Sequence, residues 1–238
     1  MKTTTLFRLG GLLLAIGGLL GPIGHLVLHP PSHALQYQGT PQWVLAHAVL
    51  TASWVLILFG VFALYGLGHK RMGVIGLVGF ALVAVVCLYQ VASYAFDAFT
   101  LPEIRTTFPG ETATDPNGSF NQFPNGLFPL PLSFPIGLIL FGIAIFRSGF
   151  EQRWAGIGLV VSVVFIYAGG AVAHSPLHLE RAIPIVFSIN SLVFAWLGFG
   201  LLQGMRAGVQ LAAPAAVLTP LGAPFGSVGP LPNRARRP

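Results

Sequence analysis

The chain has 238 residues, of which 54% are apolar and only 8% charged, with a mean hydropathy of +0.78 and a formal charge of +6. A soluble globule carries roughly 25% charged residues, so this composition excludes a water-soluble enzyme, a disordered chain and a nucleic-acid binder. It predicts an all-α polytopic membrane bundle, in which the single cysteine, Cys87, excludes both an intramolecular disulfide and a cysteine-based metal cluster.

A helix crosses the hydrocarbon core with about 20 apolar residues. Six windows free of Asp, Glu, Lys and Arg meet that requirement: 9–28, 43–65, 74–96, 127–146, 154–173 and 183–202. Lys2 and Arg8 before the first window resemble a signal-peptide n-region. No A-x-A-like cleavage site follows, and the window is long for an h-region, so it is read as a retained span. Within it, Gly17-x-x-x-Gly21 predicts a close helix–helix approach. His25 and His29 share a face if the helix continues that far.

In the second window His47 lies about one turn in, on the face of Thr51 and Trp54. In the third, Gln90, Tyr94 and Asp97 form a polar stripe at i, i+4, i+7. Residues 97–126 form the one sizeable outer loop. Its Asp115-Pro116-Asn117-Gly118 is read as a turn, since the later bidentate Glu of a calcium loop is missing. Pro129, Pro131 and Pro135 are expected to loosen the outer half of the fourth helix. Asn190, with Ser188 and Ser191, is a polar group inside the sixth window. Residues 1–206 thus form a six-helix transmembrane domain, and 207–238 are read as a disordered, Pro-rich cytoplasmic tail.

Charge sets the expected orientation. With the N-terminus inside, ten of the twelve Lys and Arg residues lie on the cytoplasmic side, Arg105 and Arg181 being the exceptions, and both termini are cytoplasmic. The cell membrane is then the expected location and the lipid bilayer the first partner, with no nucleic acid. Six of the seven histidines fall on the outer side; His69 alone is inside.

The chain also repeats itself. Residues 56–78 match 138–160 at an offset of 82, with ten identities in 23 positions. His29-x-Pro31-x-His33 recurs as His174-x-Pro176-x-His178, each 21 residues after an arginine, Arg8 or Arg153. This pattern predicts repeated parallel helical hairpins.

Neutral imidazoles with a nearby carboxylate are ligands for divalent metals. The candidate metal ligands are His25, His29, His33, His47, Asp97, His174 and His178, lining an outer-side cavity for a metal or another small ligand. A haem gripped by two imidazoles is the alternative. A structural or sensory component without cofactor is another. Catalytic residues are not identifiable: there is no P-loop, G-x-S-x-G or H-E-x-x-H, and no lysine inside a span for a Schiff base. The segments 29–33, 43–47, 96–102 and 153–156 resemble those of uncharacterised bacterial integral membrane proteins with about six spans. That resemblance implies a membrane fold and a bacterial origin, and carries no activity.

Overall fold

The computed structural model describes residues 3–30, 37–107, 130–150, 153–173 and 182–206. The loop turns at 115–118, His33, the second histidine motif and the Pro-rich tail lie outside the described residues. Every regular element described is helical. Helix α1 spans Thr3–Pro22 and runs into a π-helical turn, Ile23–Leu28. Helix α2 spans Pro41–Ala95 and runs into a second π turn, Phe96–Thr100. Then come α3 (Leu101–Thr107), α4 (Leu130–Arg147), α5 (Arg153–Ala173) and α6 (Ala182–Arg206). Among the described residues, three stretches are long and apolar enough to cross a membrane: Thr5–Leu28, Pro41–Ile104 and Pro184–Gln203. Ser133–Arg147 and Arg153–Gly169 are shorter apolar stretches.

The longest of these is folded back on itself. In a straight α-helix residues 15 apart are separated by about 22 Å. Here the rings of Tyr65 and Phe80 stack with centroids 4.3 Å apart. At the far end, Trp43 Nε1 donates to the Asp97 carbonyl at 3.2 Å. The reversal sits at Gly73, with φ 60° and ψ −158°, a conformation open essentially to glycine alone. Helix α2 is therefore a hairpin of two arms, 41–72 and 74–95. Helices α4 and α5 form a second hairpin, joined through Gly149 at φ 72°. The Ser148 hydroxyl donates to the Ile145 carbonyl at 2.7 Å and closes the end of α4.

The six rods pack in a ring. Helix α1 lies between the first arm of α2 and α6; α6 packs on α5, α5 on α4, and α4 on the second arm of α2. Leu14, Trp54, Val83, Phe141, Leu159 and Phe194, one from each rod, are among the buried residues of the shared core. The outer surface is apolar as well. Along α1 and its π continuation Leu9, Leu12, Ile16, Leu19, Ile23 and Leu26 are exposed at a helical period. A helix apolar on its outer face has no need of water, so helix contacts must be built from something other than a polar/apolar division. They are built from small residues. Gly10 and Gly17 touch the first arm of α2 at Ala63, Ser53 and Ile57. Gly18 and Gly21 touch α6 at Ala195 and Ser191. The expected Gly17–Gly21 contact is thus two contacts: each glycine serves a different neighbour.

The repeat shows the same division. Gly76 in the second arm and Gly158 in α5, equivalent at an offset of 82, each face the helix that follows their hairpin, α4 and α6 respectively. Gly60 and Gly142 are equivalent in sequence, yet Gly60 faces α1 and Gly142 faces α5 within its own hairpin. Pro135 is accommodated inside α4.

Candidate functional site

The ends of α1 and of both arms of α2 meet on the side opposite Gly73. The first arm starts with a Thr cap and a proline. The Thr40 hydroxyl oxygen accepts from the Trp43 amide at 3.3 Å, and Pro41 occupies the first helical turn, where its missing N–H is of no consequence. This start fixes Trp43 and His47 one turn apart on an inward face, 3% and 2% exposed.

His47 is held from both sides of its ring. Its Nδ1–H donates to the Trp43 carbonyl at 2.8 Å, since a carbonyl only accepts. That assignment leaves Nε2 directed at Asp97, whose Oδ2 is 3.6 Å away. The indole of Trp43 stacks on the imidazole with centroids 4.1 Å apart and planes 25° apart. The indole N–H reaches across to the Asp97 carbonyl, so one residue supplies both the carboxyl group and the anchor for its neighbour. Tyr94, one turn before Asp97, packs against His47 at 5.8 Å and edge-on to His25 at 5.9 Å.

The first π turn ends at Leu28, and at His29 the backbone leaves the helix with φ −66° and ψ 136°. His25 points toward Tyr94 and Phe187 of α6. His29 packs at 5.2 Å from both Trp43 and His47, and its Nδ1–H donates to the Pro30 carbonyl at 2.8 Å. Burial holds the His29 imidazole below its ordinary pKa; the bond to the Pro30 carbonyl opposes that shift in part.

Of the seven residues expected to line a cavity, four meet at this end: His25, His29, His47 and Asp97. His33, His174 and His178 lie outside the described residues. Among the described residues no three His, Cys, Asp or Glu side chains are grouped closely enough to hold a metal ion. The residues that sequence reasoning underweighted are aromatic. Trp43, Tyr94 and Phe187 enclose the histidines, and the available signal was the i, i+4 spacing of Trp43 to His47 and of Gln90 to Tyr94.

The inner polar residues behave otherwise. Asn190, wholly buried, accepts from the Ser162 hydroxyl at 2.9 Å and ties α6 to α5. Ser188 and Ser191 donate to carbonyls one turn back on their own helix, at 2.7 and 3.0 Å. This set links helices and is not part of the histidine cluster. His69 lies at the other end, exposed, with Nδ1–H donating to the Gly66 carbonyl at 3.0 Å.

No family model matches the chain, and no curated protein or solved structure shows significant similarity to it.

Proposed function

We propose that this chain is a bacterial multi-pass membrane protein of six spans, with both termini in the cytoplasm. Its outer end carries a His47–Asp97 site that takes up a proton and, with it, a small ligand. The sidedness rests on charge: Lys70, Arg71 and Arg147 gather at the Gly73 end, while Asp97 and Glu103 belong to the other. The observation that carries the site is the hydrogen bond from His47 Nδ1–H to the Trp43 carbonyl. It commits the neutral imidazole to one tautomer, whose Nε2 is an acceptor 3.6 Å from a carboxyl oxygen. Two acceptors repel. The contact is attractive only with a proton in it, as imidazolium with carboxylate or as imidazole with carboxylic acid. The two groups then titrate as a pair.

Titrating the protein in lipid while following the infrared carboxyl bands tests this. The expected result is a single protonation step that disappears in Asp97→Asn and shifts in His47→Gln. A step that persists in both variants removes the site. Reporter fusions after Gly204 and within 106–118 test the topology, and an extracytoplasmic signal from the first overturns it.

A metal at the same place is the second reading. An imidazole whose Nδ1–H is anchored on a backbone carbonyl presents Nε2 as metal-ligating histidines do. The His29 ring lies 5.2 Å from that of His47, and further ligands would come from His33, His174 or His178. Metal analysis of purified protein, with Asp97→Asn as control, separates the two readings. The haem alternative is weaker, because Trp43 already covers one face of His47 and His29 lies at 5.2 Å. A visible spectrum without Soret absorbance after expression with haem supply closes it.

A further inference from the structure

The Gly73 end of the bundle holds a cavity of about 340 Å³ lined by Lys70, Arg71, Met72, Gly73, Val74, Ile75, Ala144 and Arg147. Its three charged side chains are all cations, and all three are exposed. Among the described residues no carboxylate lies within ion-pair distance of them. Two of the cations precede the reversal at Gly73 and the third ends α4, so the fold brings them together from positions 76 residues apart in sequence (147 less 71). The second arm of α2 also begins here, and the first amides of a helix have no partner within it.

Immediately beyond the cations the surface turns apolar. Val74 is 76% exposed, and Ile75, Leu77 and Val78 are exposed behind it. An anion with an apolar body fits both halves. On the membrane reading above, this end lies at the membrane surface, where basic pockets between helices accept phosphate-bearing headgroups. Arginine offers paired donors to phosphate oxygens and lysine a compact charge.

We propose that this cavity binds a phosphate group, carried by an anionic phospholipid whose acyl chains lie along Val74 and Val78. The cations also stand near the C-terminal ends of the first arm and of α4, where positive charge complements the helix dipole. That role alone accounts for a change in basal stability and not for a response to lipid. The lipid source rests on the membrane reading above; the phosphate chemistry does not, and neither depends on the His47–Asp97 pair.

The test uses the purified full chain in detergent, with thermal melts and native mass spectra recorded in added phosphatidylglycerol, phosphatidylcholine or inorganic phosphate. Phosphatidylglycerol near saturation is expected to raise Tm by about 5 °C through mass action. Phosphatidylcholine should do less. The triple variant Lys70→Gln, Arg71→Gln, Arg147→Gln should lose most of the rise and the retained lipid. Arg153→Gln, outside the cavity, and His47→Gln, at the other end, should keep both. If the triple variant does not fold, Arg147→Gln alone should reduce the rise and the bound-lipid count. A rise with inorganic phosphate that the variant loses supports the phosphate site and assigns it a soluble source. A rise that survives in the variant, or no rise with either phosphatidylglycerol or inorganic phosphate, overturns the proposal.

Discussion

The two ends of this bundle are built on opposite terms. At the His47 end, charge-bearing groups are drawn inward and covered by rings: Trp43 stacks on His47, Tyr94 packs beside it, and Asp97 is reached by Trp43 through its own backbone. At the Gly73 end, Lys70, Arg71 and Arg147 remain exposed around an open cavity, and the turn between the arms depends on one backbone conformation. Cross-element packing and hydrogen bonds hold the first end; a glycine and a short connection hold the second.

This contrast breaks most visibly at Trp43. Trp43→Ala removes a ring that is 3% exposed, the stack on His47 and the bond to the Asp97 carbonyl. A loss of about 3 kcal/mol is expected, measured by thermal or denaturant unfolding in detergent. Trp43→Phe should restore part of the stability and still lack the bond. If Trp43→Ala costs as little as a surface change, the outer end is not held by its aromatic cover.

Gly73→Ala probes the other end. A Cβ there meets nothing within 4 Å, so the cost is purely conformational, about 1–3 kcal/mol. Proteolysis between the arms should increase in step. A neutral result would mean that the reversal does not depend on that backbone geometry.

A smaller effect belongs to His29. Its folded pKa is depressed by burial, so below pH about 6.5 the unfolded chain takes up a proton that the folded one resists. Stability is therefore complete above the unfolded value and falls as pH drops through it, until the folded value is passed. His29→Gln should flatten that part of the stability–pH profile. An unchanged slope would assign the acid sensitivity to the neighbouring His47–Asp97 pair, whose imidazole lies 5.2 Å from that of His29.

The smallest change is expected at His69, exposed and bonded only to its own helix at Gly66. His69→Ala should stay within about 0.5 kcal/mol and leave the outer-end titration unaltered. A larger shift would couple the two ends and contradict their separation.

Much of the helical architecture is legible from composition and periodicity, because a continuous apolar run needs no partner to be recognised. The windows at 9–28 and 183–202 fall within described helices or their π continuation. The windows at 43–65 and 74–96 are also recovered, although no loop separates them: a single glycine between charged Lys70-Arg71 and apolar Val74 marks the boundary. The candidate site is only partly legible. The i, i+4 argument for His25 and His29 presumes an unbroken α-helix, whereas the helix passes into a π turn and ends at His29, and the rings meet Tyr94 and His47 respectively. Neither pattern nor spacing indicates that Asp97 lies against His47, since the two are fifty positions apart (97 less 47).

The residues alone thus determine that the described segments are helical and largely apolar, with Lys70 and Arg71 just before the reversal. A helix satisfies its backbone groups within itself, so each apolar segment can be recognised singly. Which glycine meets which neighbour, and which histidine meets the carboxylate, was decided only when the rods packed. With apolar surface on all sides, helix pairing is chosen by the fit of small residues against large ones, and that fit is a property of two helices together, not of either sequence read singly.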